Sequence, residues 1–186
     1  MSPLPDPAPL IFLIAGEPSG DLLGARLMAA LKAKTNGKVR FAGIGGPRME
    51  AEGFVSLFPF HQLSIMGFAE VLPKLPALMS RINQTVHEIL QLQPRCVITI
   101  DSPGFNFRVA QKIRANKYAE NIKLIHYVAP TVWAYKPERA EKMRGLFDHL
   151  MVVLPFEPPY FERVGLPCTF VAHPIIEEWR ANAGDG

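Results

Sequence analysis

Asp101 stands at the end of an unbroken apolar run, Cys96-Val97-Ile98-Thr99-Ile100, and is followed by Ser102-Pro103-Gly104-Phe105-Asn106. A carboxylate on a rigid strand end can accept the proton of an attacking sugar hydroxyl, the general-base role of an inverting transfer. Asp101 could instead cap a helix beginning near Phe105, a job that Ser102 or Asn106 can also do. A second polar turn, Gly16-Glu17-Pro18-Ser19-Gly20-Asp21, follows the apolar run Leu10–Ile14. Gly20 permits a close backbone approach, and Ser19 or Asp21 can cap the next helix, whose N–H groups attract an anion or a sugar hydroxyl. Glu17 has no evident structural task in such a turn, so it joins Asp101 as a catalytic candidate.

Gly16, Ser19, Gly20, Asp21, Ser102 and Asn106 are candidates for substrate contact, and others follow other apolar runs. Gly45-Gly46 either lets a ligand reach the backbone or simply turns the chain. Trp133 and Tyr135 lie in a loop after His126-Tyr127, where an aromatic ring can pack on a sugar face or join the core. His173 follows the last run and offers an imidazole to substrate, beside the ordinary structural use of a lone histidine. G-x-G-x-x-G is absent after the first run, so the turn is not the dinucleotide-binding fingerprint. G-x-S-x-G is absent as well, which argues against a serine hydrolase. The five histidines are scattered and no D-x-D pair occurs, so no bound metal and no cofactor are expected.

The elements that must position these residues are short apolar strands alternating with helical patterns. Strands are expected at Leu10–Ile14, Val39–Ile44, Cys96–Ile100, Lys123–Val128, Leu150–Leu154 and Thr169–Val171. Helices are expected through Leu23, Leu27 and Leu31, through Phe105, Val109 and Ile113, and through Ala140, Met143 and Phe147. Continuous apolar strands separated by helices predict a parallel sheet covered on both faces, a Rossmann-like doubly wound α/β fold. In such a sheet ligands bind beyond the carboxyl ends of the strands, where all the polar turns above fall.

The 186 residues suffice for one domain, and 48% apolar with 20% charged residues is a globular composition. A net charge of +3 allows attraction to anionic lipid but is too small to argue for nucleic acid. The two cysteines, Cys96 and Cys168, read as reduced thiols in a cytosolic protein. No apolar run is long enough to span a bilayer, and Met1–Leu10 lacks the basic residues of a signal peptide. The expected division is a disordered tail over 1–8, one domain over 9–173, and a linker or helix beginning at 174–186.

The segment from Met66 to Pro76 carries more apolar surface than a loop should. Phe68, Val71, Leu72 and Leu75 repeat at helical spacing, but Pro73 and Pro76 predict that no regular helix runs through it. A helix restarting at Pro76 would use Met79, Ile82, Val86 and Leu90 as its core stripe. Met66, Phe68, Val71, Leu72 and Leu75 then form either a buried connection, which periodicity alone favours, or an exposed patch for acyl chains or a membrane.

Several strings together resemble the lipid-A-disaccharide synthase family. They are Ala15–Asp21, Gly43–Met49, Leu63–Leu72, Ile100–Pro103, His126–Pro130, Val132–Ala134 and Leu154–Glu157, in family order across about residues 10 to 175. The resemblance implies the N-terminal half of a two-domain GT-B glycosyltransferase, inverting and metal-independent. Its substrates would be UDP-diacylglucosamine as donor and lipid X, a diacylglucosamine 1-phosphate, as acceptor. Its place would be cytoplasmic, peripheral on the inner face of the inner membrane of a Gram-negative bacterium. By the same resemblance Asp101 becomes the base, Glu17 and Ser19–Asp21 lie near the acceptor, and the 66–75 segment becomes an acyl or membrane patch. Gly104, Tyr135 and Ala172 depart from the family pattern, where aspartate, tryptophan and glycine are usual. The family runs to about twice this length, so this chain by itself is expected not to turn over. Rival expectations are another GT-B enzyme of UDP-sugars, including an epimerase, and a non-catalytic module that binds acylated sugar or membrane.

Overall fold

The computed structural model describes residues 8–64, 71–132 and 138–172. Six parallel strands form one sheet in the order β2-β1-β3-β4-β5-β6. They are β1 Leu10–Ala15, β2 Arg40–Ile44, β3 Cys96–Ile100, β4 Lys123–Tyr127, β5 His149–Val152 and β6 Cys168–Phe170. The helices are α1 Pro18–Lys34, α2 Pro47–Ala51, α3 His61–Ser64, α4 Val71–Leu92, α5 Pro103–Arg114, α6 Glu138–Arg144 and α7 Pro158–Glu162. This is the expected Rossmann-like, doubly wound α/β fold.

Side chains alternate across each strand, so both faces must be covered. Leu13, Ala15, Ile98 and Ile100 face α1, which buries Leu23 and Met28 against them. Phe12, Ile14, Val97, Leu124, Leu150 and Val152 share the other core with Ile82 and Ile89 of α4, Val109 and Ile113 of α5, Met143 of α6 and Phe161 of α7. Each fully buried isoleucine contributes about 1.5–3 kcal/mol relative to exposure. The split follows from handedness. A right-handed crossover from β1 out to β2 puts α1 on one face, and stepping the opposite way from β2 to β6 puts the later helices on the other. The direction reverses between β1 and β3, which pair Ala15 with Ile100 at their carboxyl ends.

Several bounds differ from the sequence expectation: β2 starts at Arg40, β5 ends at Val152 before the expected Leu154, β6 is Cys168–Phe170, and α6 ends at Arg144 before Phe147. Helix α4 starts at Val71 and carries Pro76 in its interior, so the prolines do not stop it. Pro73 falls in the first turn, where N–H groups have no intrahelical partner, and Pro76 forfeits only one bond near the start. Strand β4 ends at Tyr127, before the expected Val128, because Val128 has φ +68° and leaves the extended region. Close packing fixes one glycine absolutely: Gly43 has φ +133°, and a Cβ there would sit 1.9 Å from the Leu13 carbonyl oxygen. Of the expected acyl patch, Met66 and Phe68 lie outside the described residues, Val71 and Leu72 fall in the first turn of α4, and Leu75 is exposed.

Candidate active site at the β1–β3 switch point

The reversal between β1 and β3 leads at the carboxyl rim to the place where doubly wound sheets generally bind ligands. The loop after β1 supplies Glu17 and the turn after β3 supplies Asp101 and Ser102. Glu17 is the N-cap residue of α1, yet its side chain makes no capping bond. Its Oε1 instead accepts a hydrogen bond from the Ser102 hydroxyl at 3.2 Å. Asp101 and Ser102 are half-buried, whereas Glu17 and Ser19 are exposed. The helix α5 begins at Pro103 with Ser102 at its cap, and no side chain caps it. The Asp101 carboxylate therefore has no capping task.

The backbone here is held out of its ordinary range. Asp101 has φ +49° and Ser102 φ +43°, two consecutive left-handed residues. Each such L-residue costs about 1–2 kcal/mol. Val128 after β4 and Ala172 after β6 are left-handed as well, at +68° and +59°. A branched side chain such as valine tolerates this region least. Residues held in this region cluster at functional sites in proteins generally. No signal in the sequence announces them.

Asp21, expected near the ligand or capping α1, does something else. It is 2% exposed. Its carboxylate accepts from the backbone N–H groups of Gly46 (2.9 Å), Arg48 (2.9 Å) and Met49 (3.0 Å). It thus caps α2 and ties the β2 loop to α1. The partners come from the loop 25 to 28 residues onward, which local capping rules do not reach. The same contacts explain the glycines. A Cβ on Gly46 would lie 2.8 Å from Asp21 Oδ2, and one on Gly45 2.5 Å from Met49 Sδ. Gly20 is buried where α1 meets the ends of β1 and β3, and Gly16 is buried against Leu63 and Ser102. Gly45 and Gly46 are buried too. These four glycines let protein segments meet closely, and their side-chain positions face protein atoms.

Asn106 is 0% exposed and directs its amide inward, to the carbonyls of Ile100 and Asp101. It meets backbone rather than the open rim. Trp133 and His173, expected to touch substrate, lie outside the described residues.

Beneath the rim, Thr99 of β3 pairs with His126 of β4. Thr99 Oγ1 lies 2.7 Å from His126 Nδ1 and 3.3 Å from the Ile125 carbonyl oxygen. His126 stacks on Phe147 and meets Phe107 edge-on. Burial pushes its pKa down to about 3, against the weaker upward pull of backbone hydrogen bonds at Val128 and Thr99. The imidazole is neutral and structural. Among the described residues no group of three or more His, Cys, Asp or Glu side chains is placed to hold a metal. None of the described helices is long and apolar enough to cross a membrane.

Residues 11–185 match the family described as Lipid-A-disaccharide synthetase. The lipid-A-disaccharide synthase of Rhodospirillum centenum is 58% identical over 177 residues, covering 95% of this chain and 43% of the relative. That of Ruegeria pomeroyi is 51% identical over 175 residues, covering 94% and 43%. That of Paramagnetospirillum magneticum is 50% identical over 177 residues, covering 95% and 45%. The chain spans less than half the length of these curated relatives. With nearly all of its residues matched, the chain belongs to the lipid-A-disaccharide synthetase family.

Proposed function

We propose that this chain is the acceptor-side half of a glycosyltransferase that joins two acylated glucosamine units. The donor is UDP-2,3-diacylglucosamine and the acceptor 2,3-diacylglucosamine 1-phosphate. In the reaction an acceptor hydroxyl oxygen bonds to the donor's anomeric carbon, and the bond from that carbon to UDP breaks. UDP leaves with the bonding pair, the anomeric centre inverts, and Asp101 takes the hydroxyl proton. Glu17 and Ser102 orient the acceptor beside it, with Ser19 and the first turn of α1 within reach of its polar groups. No metal enters the scheme; charge on the leaving UDP is for groups outside this half to stabilise. The observation that carries this reading is the Glu17–Ser102 contact across the switch point, next to the strand end that bears Asp101.

Acyl chains need an apolar landing. Leu75, exposed near the start of α4, and the preceding segment through Met66, Phe68, Val71 and Leu72 are the proposed contact with acyl chains and with the inner face of the inner membrane. Sedimentation with anionic vesicles tests it: Leu75→Glu should release the chain into the supernatant, and unchanged sedimentation would refute this contact.

Turnover is tested in a chimera in which residues 11–185 replace the matching segment of the Rhodospirillum centenum relative. Release of UDP with formation of the disaccharide phosphate is the expected result. Asp101→Asn should lower kcat by about 10²–10⁴-fold, the usual worth of a general base. Full activity in that variant would refute the assignment.

A further inference from the structure

We infer that Asn106 is a positioning residue that holds the turn bearing Asp101 and Ser102 in its left-handed form. This rests on the reading of that turn as the seat of the transfer.

Asn106 sits in the first part of α5, wholly buried. Its Nδ2 donates to the Asp101 carbonyl at 2.7 Å and to the Ile100 carbonyl at 3.2 Å. Both amide hydrogens are thereby committed, one to the last residue of β3 and one to the first left-handed residue. The rest of the turn is pinned by backbone. The Asp101 N–H donates to the Tyr127 carbonyl, and the Ser102 carbonyl accepts from the N–H groups of Phe105 and Asn106. With these bonds made, Ile100 cannot rotate its carbonyl away, and Asp101 cannot return to the extended or helical region without breaking the 2.7 Å bond.

Two left-handed residues in a row persist only where surroundings over-determine them. Asn106 supplies that constraint from beneath, where water does not compete. Its Oδ1 is buried with no hydrogen-bond partner among the described residues. The side chain therefore accepts an uncompensated acceptor in order to present both donors to the turn, which a residue serving only α5 would not need. Released, Asp101 and Ser102 would relax toward negative φ and swing away from Glu17. The Ser102–Glu17 bond and the aim of the Asp101 carboxylate would be lost together.

Two readouts test this, one independent of catalysis. In the 186-residue chain, one-bond Cα–Hα couplings of Asp101 and Ser102 report the sign of φ. Asn106→Ala should move both to the negative-φ range, and Asn106→Ser, which keeps one donor on a shorter arm, should move them partway. In the chimera, Asn106→Ala should lower kcat by about 10–100-fold with KM changed less than about threefold, the signature of a lost transition-state geometry. Asp148→Ala, which destabilises the opposite rim, is the control and should leave couplings and kcat unchanged. Left-handed couplings that persist in Asn106→Ala and Asn106→Ser, or a kcat that survives their loss, would overturn the inference. An inactive parent chimera would instead sink the transfer reading and any catalytic consequence of the clamp with it. The couplings would still tell whether the clamp exists.

Discussion

The two rims of this sheet treat their carboxylates in opposite ways. At the amino rim, Asp148 accepts from the Leu124 N–H at 2.7 Å and from Arg114 at 2.6 Å, with Lys123 at 3.8 Å. Burial alone would raise its carboxyl, but the Leu124 amide and the Arg114 guanidinium hold it below the usual carboxylate range. The left-handed residues toward that rim, Asn36 and Gln93, only close α1 and α4, an ordinary helix ending. At the carboxyl rim Asp101 and Ser102 carry strain, and the Glu17 carboxylate faces outward with one long bond from Ser102. The same strands thus end in satisfied charge on one side and in conformational strain on the other. Strain and a loosely partnered carboxylate cost stability, and their meeting at Asp101, Ser102 and Glu17 supports the proposed site there.

The sharpest way to break this comparison is to exchange the two aspartates' losses. Asp101→Asn should remove about 10²–10⁴-fold of chimera turnover while shifting the unfolding free energy by under about 0.5 kcal/mol. Asp148→Ala should do the reverse, costing stability with turnover intact. Turnover and denaturant unfolding measured on the same two variants decide the matter. If both lose stability and neither loses turnover, the rims do not differ in the way proposed.

Asp21 refines the contrast, because it lies at the carboxyl rim yet behaves like the amino-rim aspartate. Asp21→Ala would strand three backbone N–H groups, two of them in buried bonds. The expected loss is about 3 kcal/mol, from the 1–3 kcal/mol cost of each unsatisfied buried donor and partial relief by water. Urea unfolding measures it directly. A loss below about 1 kcal/mol would mean the α2 cap is not what holds the β2 loop.

His126 lies between the core and the carboxyl rim and gives the fold a pH dependence. Its pKa is pushed down to about 3 by burial, so the folded state stays unprotonated where the unfolded chain binds a proton. Stability is therefore fully present above the unfolded value near 6.5 and falls as pH drops toward about 3, at up to about 1.4 kcal/mol per pH unit. Urea midpoints from pH 7 to pH 4 should fall accordingly. Replacing the buried pair together, Thr99→Val with His126→Phe, should flatten that part of the profile; a slope that persists would place the titrating group elsewhere.

Much of this architecture was legible in the sequence because burial on both faces demands unbroken apolar runs. Leu10–Ala15 and Cys96–Ile100 read as strands for that reason. Asp101 was legible because a polar residue directly after such a run has only a rim to face. Local rules failed where distant partners decide. Asp21 looked like a cap for its own helix, but its three donors arrive from the β2 loop. Glu17 and Ser102 are 85 residues apart in sequence and meet only because β1 and β3 are neighbours. The prolines of α4 misled because position matters more than identity: near a helix start, a missing N–H removes little. Val128 gave no warning, since nothing about valine suggests positive φ.

The smallest expected effect tests the strain itself. Ser102→Gly removes the steric cost of φ +43°, about 1–2 kcal/mol for an L-residue, and adds about 0.5–1 kcal/mol of unfolded-chain entropy. The net should be a gain of about 0.5–1 kcal/mol in denaturant unfolding. The lost hydrogen bond to Glu17 subtracts little, because Glu17 is exposed and water replaces the hydroxyl. Turnover of the chimera should nonetheless fall, because the hydroxyl that fixes Glu17 is gone. A more stable and less active variant is the outcome that separates strain kept for function from strain merely tolerated. If Ser102→Gly is neither stabilised nor slowed, the left-handed turn carries no stored cost, and the difference between the rims reduces to charge alone.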